Sequence, residues 1–103
     1  MDKVTLLKQK AAALRLLLER HQHFNGDARS LLETLTPLFN DIAAGKVVPP
    51  MYYAQSRALG KDHPFYEPAS IFSGPHAEFA CALEDWASQP WYAALEAQMS
   101  RKP

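Results

Sequence analysis

Two consecutive apolar seams of the same period, separated by a short polar turn, restrict how this chain can fold more than any other feature of it. Val4, Leu7, Ala11, Leu14 and Leu18 recur at alternating three- and four-residue steps, the spacing that stacks side chains along one face of an α-helix. Ala28, Leu31, Leu35, Leu38 and Ile42 repeat the pattern, and Leu32 and Phe39 widen it. Between them, His21-Gln22-His23-Phe24-Asn25-Gly26 reads as the end of the first helix. Its imidazoles stand near the negative end of the helix dipole, and Asn25-Gly26 offers a left-handed stop. Asp2 and Asp27 are the expected N-caps. The seams therefore predict an antiparallel helical hairpin. Pro37 falls inside the second seam without disturbing its period, so a kink is expected there, or a break recapped by Thr36. Gly45 is the expected end.

Leu6, Ala13, Leu16 and Leu17 add a second stripe to the first helix, leaving more than half its circumference apolar. A single partner face does not cover that much surface. The expectation is that the helix is central or shared with another chain, with Leu6, Ala13 and Leu17 at a two-fold homodimer interface.

From Lys46 to Gly74 the periodicity disappears, and Pro49, Pro50, Gly60, Pro64, Pro68 and Gly74 punctuate the chain. Pro50 through Leu59 is expected to form two helical turns, followed by a long irregular loop from Lys61 to Pro75. Ser73-Gly74-Pro75 then opens a third helix, with Phe79, Leu83 and Trp86 as its buried stripe beside Ala82 and Ala87. A fourth begins at Pro90 and carries Trp91, Leu95 and Met99. With no alternating run to compete, the class is all-α. The expected architecture is a small single-domain helical bundle over 1–103, in which a long Pro/aromatic loop joins an N-terminal antiparallel hairpin to two C-terminal helices.

Composition narrows the function. At 103 residues the chain has room for one ordinary core. Eleven Lys plus Arg offset eleven Asp plus Glu, so no net field draws it to nucleic acid or to acidic membranes. The charges do divide: residues 1–60 hold eight basic and five acidic side chains and residues 61–103 hold three and six, which favours docking of the two halves. The single Cys81 fits a reducing, cytoplasmic setting and excludes an internal disulfide. The apolar run Ala11 to Leu18, broken by Arg15, is expected to be neither a signal peptide nor a membrane span, which takes roughly 20 apolar residues.

Catalytic constellations are sparse. His76-Ala77-Glu78 matches half of a zinc-deaminase signature, but the P-C-x-x-C half is missing and Cys81 does not share a helix face with His76. His21 and His23 are two apart, which points them away from each other on a helix. His63 beside Asp62 has the composition of an oriented general base with no nucleophile near it. Glu84, Asp85 and Glu78 read as a solvated acidic face. No catalytic residue, metal or cofactor is assigned on this basis.

The unusual feature is aromatic: nine of the eleven Phe, Trp and Tyr residues lie at or after Tyr52. Tyr52, Tyr53, Phe65, Tyr66, Glu67 and Phe72 are the candidate partner-binding residues, with Tyr53 and Tyr66 expected at the surface because adjacent large side chains seldom both face inward. The first expectation is a cytoplasmic protein-binding module. Its build, though no motif, is like that of bacterial immunity or antitoxin proteins, which block a partner by occupying its surface. A second expectation is a small-molecule binder or small enzyme with an aromatic pocket and His63 or His76 as its polar group. A third is a nucleic-acid regulator acting through Lys3, Lys8, Lys10, Arg15 and Arg20 of the first helix, which the absence of interleaved aromatics disfavours.

Overall fold

A computed structural model describes residues 2–55, 58–60, 63–67 and 69–100, without the side chains of residues 93, 96, 99 and 100. The described residues form four α-helices and no strand: α1 (Lys3–His21), α2 (Gly26–Ala43), α3 (Ser73–Glu84) and α4 (Pro90–Ser100). Short 3₁₀ turns occupy Pro64–Tyr66 and Trp86–Ser88. The class is all-α, and α1 and α2 pack together as the hairpin. Helix α1 also packs along α3, which makes it the central element. Leu7, Ala11, Leu14 and Leu18 of α1 are buried between Leu31, Leu35, Phe39 and Ile42 of α2 and Phe79, Ala80 and Leu83 of α3, all in one cluster. Phe39 and Phe79 meet edge to face, with centroids 5.6 Å apart.

The caps follow side-chain chemistry. The Asp2 carboxylate accepts from the Thr5 N–H at 2.8 Å and the Thr5 hydroxyl at 2.9 Å, satisfying donors that the first helical turn leaves open. At α2 the expectation is corrected: Asn25, not Asp27, is the N-cap. Its Oδ1 accepts from the N–H groups of Asp27 at 3.0 Å and Ala28 at 3.1 Å, and its backbone is extended. Asn25-Gly26 is thus a helix start rather than a left-handed stop. Asp27 moves into the first turn, where a carboxylate favours the dipole.

Helix α2 also runs unbroken through Pro37. Thr36 does not recap a second piece; its hydroxyl donates to the Leu32 carbonyl at 2.6 Å. Gly45 closes the helix at φ +76°. The Lys46 N–H reaches the Asp41 carbonyl at 2.9 Å and the Gly45 N–H that of Ile42 at 3.0 Å, the paired closure that a left-handed glycine permits.

Three further expectations change. Residues 51–53 are not helical, and only turns occur at 54–55 and 58–59; Ser56 lies outside the described residues. The Met51 N–H bonds the Leu83 carbonyl at 2.9 Å and the Tyr53 N–H the Glu84 carboxylate at 3.1 Å, holding this segment extended along the end of α3. Trp86 does not continue the α3 stripe, because Asp85 adopts the left-handed region at φ 49° and ends the helix. Trp86 is half-buried beside an exposed Ala87. Helix α4 packs mainly on the Trp86–Ser88 turn, leaving Trp91 50% and Leu95 47% exposed; the Met99 side chain lies outside the described set.

Charge joins the halves as their composition suggested. Lys3 pairs with Asp85, and Lys10 with Glu78 at 3.0 Å. The hydrogen bond from Lys3 is the main cause that holds the Asp85 carboxyl below its ordinary range. A lowered carboxyl stabilises the fold above the unfolded pKa of about 4 and loses that contribution as pH falls through the folded value. In Lys3→Ala, an NMR pH titration is expected to show Asp85 moving up toward the ordinary range. Leu14→Ala and Leu35→Ala, at fully buried positions, are each expected to cost about 2–5 kcal/mol in denaturant unfolding.

Candidate functional site

The aromatic segment is anchored by the residue expected to face outward. Tyr53 is fully buried: its ring meets Phe79 edge to face at 5.3 Å, and its Oη shares a hydrogen bond with His76 Nε2 at 3.1 Å. The surface expectation for Tyr53 is corrected, because the extended backbone alternates side chains and sends Tyr52 outward and Tyr53 inward. Phe65 and Phe72 are also core. They stack at 4.8 Å with planes 9° apart, and Phe65 meets His76 edge-on at 5.7 Å. Tyr66 is half-buried, and its hydroxyl accepts the Leu59 N–H at 3.3 Å. Of the six candidates, Tyr52 and Glu67 are the exposed ones.

Sequence reasoning missed Glu84, which organises the surface that remains. It is no member of a solvated acidic face. It is half-buried at the last turn of α3, where Oε1 accepts the Trp86 indole N–H at 3.0 Å and Oε2 accepts the Tyr53 N–H at 3.1 Å. The Gln89 side-chain amide donates to the Glu84 carbonyl at 3.0 Å. One residue thus fixes the extended segment on one side and the Trp86–Ser88 turn on the other. Between them lies a hollow of about 300 Å³ lined by Met51, Tyr52, Glu84, Trp86, Gln89 and Trp91, together with Pro50. Trp86 and Trp91 pack edge to face at 5.7 Å. Met51 is 44% and Tyr52 78% exposed, so this end of the molecule presents aromatic and thioether surface to solvent. The spacing of Glu84 and Trp86, two residues apart, was a usable signal, but only the left-handed Asp85 turns the indole back onto the carboxylate.

Two other hollows share these elements. One, of about 270 Å³, brings Tyr66, Ser73, His76, Glu84 and Trp86 together. The other, of about 520 Å³, runs between α1 and α3 over Leu6, Ala77, Cys81 and Ala82, with Lys3, Lys10, Glu78 and Asp85 at its rim. Leu6 and Ala13 of the expected dimer stripe are exposed, whereas Leu17 packs against the core.

Two further histidines, His63 and His21, have structural contacts. His63 Nδ1 accepts the Phe65 N–H at 3.0 Å, and its Nε2 stands 3.1 Å from an Asp27 carboxylate oxygen. Both ring nitrogens are thereby committed to capping and to tying the loop onto α2; Asp62, the expected orienting partner, lies outside the described residues. The His21 ring contacts Phe24 and Phe72 edge-on. No group of three His, Cys, Asp or Glu among the described residues is placed to hold a metal.

Burial pushes the Tyr53 phenol well above its ordinary value, with Tyr66 and Glu84 acting in the same direction. A raised value means stability that is intact below the unfolded pKa of about 10 and lost as pH rises toward the folded one. An alkaline absorbance titration is expected to show one tyrosine that ionises only with unfolding, and Tyr53→Phe should abolish that delayed step. The same variant removes the buried hydrogen bond between the Tyr53 hydroxyl and His76 Nε2 and is expected to cost about 1–3 kcal/mol. Comparison with protein-family models, curated proteins and solved structures finds no match for this chain.

Proposed function

We propose that the chain is a protein-binding module whose contact surface is the aromatic end of the molecule, around Met51, Tyr52, Trp86, Trp91 and Leu95. The observation that carries this reading is the exposure of Tyr52 and Trp91, the first on backbone that hydrogen bonds hold on either side, at Met51 and Tyr53. Aromatic side chains with few rotatable bonds lose little entropy on binding and dominate contact energies. Helix α4 adds to the argument: an apolar helix resting mainly on one short turn gains most by burying its open face against another surface. Occupying a partner's surface, in the manner of a small inhibitor, needs no catalytic group on this side. The lone thiol of Cys81 fits work in a reducing cytoplasm.

The exposed Leu6 and Ala13, with Leu16 at 48% exposure, support self-association through α1 as a second, compatible property. Leu17 is left out of that interface because it packs inward. The hollow that joins Tyr66, His76 and Glu84 favours small-molecule binding as the rival reading, although His76 Nε2 and both Glu84 oxygens already hold protein partners. A nucleic-acid role for α1 loses support from the pairing of Lys3 and Lys10 with α3.

The test compares wild type with Tyr52→Ala and Trp91→Ala in partner capture from cell extract and in thermal melting. The expected outcome is a specific protein retained by wild type and weakened by about 2 kcal/mol or more in each variant, with Tm nearly unchanged. A fall in Tm with capture unaffected would overturn the reading. Sedimentation is expected to show a dimer that Leu6→Glu dissociates; a strict monomer at high concentration would remove the α1 interface.

A further inference from the structure

The hollow at the end of α3 has walls and a charge that select a chemical class of ligand. Three aromatic residues, Tyr52, Trp86 and Trp91, line it together with Met51. The one carboxylate among its described lining residues is Glu84, and none of those residues is Lys, Arg or His. Glu84 accepts from two neutral N–H donors, the Trp86 indole and the Tyr53 backbone. These orient the carboxylate without cancelling its charge, and no described Lys or Arg pairs with it. A half-buried carboxylate beside electron-rich ring faces repels anions and attracts cations. A single carboxylate is too small a donor set for a metal ion, whereas a cation with an apolar surface satisfies the rings and the charge together.

We propose that this hollow is a cage for an alkylammonium group, above all a methylated one, held by cation–π contact with Tyr52, Trp86 and Trp91 and by the charge of Glu84. A quaternary ammonium sheds its water more readily than a bare ammonium and meets ring faces with its methyl groups. A volume of about 300 Å³ admits a trimethylammonium head with part of its alkyl arm. The frame is assembled in advance: the Met51 N–H is bonded to the Leu83 carbonyl, the Trp86 indole to Glu84, and the Gln89 amide to the Glu84 carbonyl. The backbone beside Tyr52 and the Trp86 ring are thus fixed before a ligand arrives, which favours affinity. The inference deepens the protein-binding reading, because the cage lies within the surface assigned to the partner. The same chemistry arrives either on a methylated lysine of a partner chain or as a free quaternary amine.

The test follows the indole N–H resonances of Trp86 and Trp91 by NMR as the full chain is titrated with choline, with a peptide carrying trimethyl-lysine, and with the uncharged tert-butyl analogue of choline. Saturable shifts are expected with both cations, and binding of the neutral analogue is expected to be at least about tenfold weaker. Tyr52→Ala, at an exposed position, should keep the folded spectrum and weaken cation binding by about tenfold or more. Glu84→Gln, whose amide oxygen can serve only one of the Trp86 indole and Tyr53 N–H donors, should lower fold stability and cation binding together, so Tyr52→Ala is the deciding variant. Tighter binding of the peptide identifies a partner's side chain as the source, and equal or tighter binding of choline identifies a free amine; either supports the cage. Absence of saturable shifts, equal binding of the neutral analogue, or undiminished binding in Tyr52→Ala would overturn it. Partner capture that Tyr52→Ala weakens, with no binding of either choline or the trimethyl-lysine peptide, would leave the surface reading standing and sink the cage. Choline binding with capture unaffected by that variant would do the reverse.

Discussion

The attachment of Tyr53 to α3 is the constraint from which the C-terminal half takes its form. The segment from Lys46 to Gly74 has no periodicity to order it, and its chain must find donors, acceptors and apolar cover elsewhere. One residue supplies all three: a ring against Phe79, a hydroxyl bonded to His76, and an N–H on the Glu84 carboxylate. Around it Phe65 and Phe72 stack, and Tyr66 closes onto Leu59. A long connecting segment persists when it carries its own core, and the described part of this one has a core continuous with the helical one.

Placing Tyr53 inside has a direct consequence for the surface. In extended chain neighbouring side chains point oppositely, so the burial of Tyr53 exposes Tyr52. Glu84 transmits the same constraint to the far wall, since the carboxylate that receives the Tyr53 N–H also receives the Trp86 indole. The aromatic surface is therefore built from residues far apart in the chain and held in register by one side chain. Among the described residues lining the hollow at the end of α3, Glu84 is the one carboxylate beside three aromatic residues.

The electrostatics of the molecule are local. A chain with no net charge has no long-range field to steer partners, yet its charged groups are placed with purpose. Lys3 and Lys10 fasten α1 to the acidic side of α3. His63 meets Asp27 across the start of α2. Glu84 stands apart from these as a half-buried carboxylate that accepts from the Trp86 indole and has no Lys or Arg partner among the described residues.

Helix seams were legible in the sequence because their signal is local and repeated. Leu7, Leu14 and Leu18, or Leu31, Leu35 and Ile42, declare a face by spacing alone, and burying it admits few arrangements of two adjoining helices. Helix starts at Asp2 and Pro90 and the stop at Gly45 were legible for the same reason, since each rests on the chemistry of one residue. The choice of Asn25 over Asp27 as cap was not, because both side chains can accept the same N–H groups and backbone geometry decides between them. Which tyrosine of Tyr52 and Tyr53 turns inward was equally undetermined, as alternation fixes only that the two differ. That decision belongs to His76, Phe79 and Glu84, more than twenty residues away and brought there by the packing of α3 on α1. The left-handed turn at Asp85, which breaks the expected stripe and folds Trp86 back onto Glu84, likewise lies beyond sequence periodicity. Local spacing determined the hairpin and its core; contacts between distant residues determined which aromatic groups reach solvent.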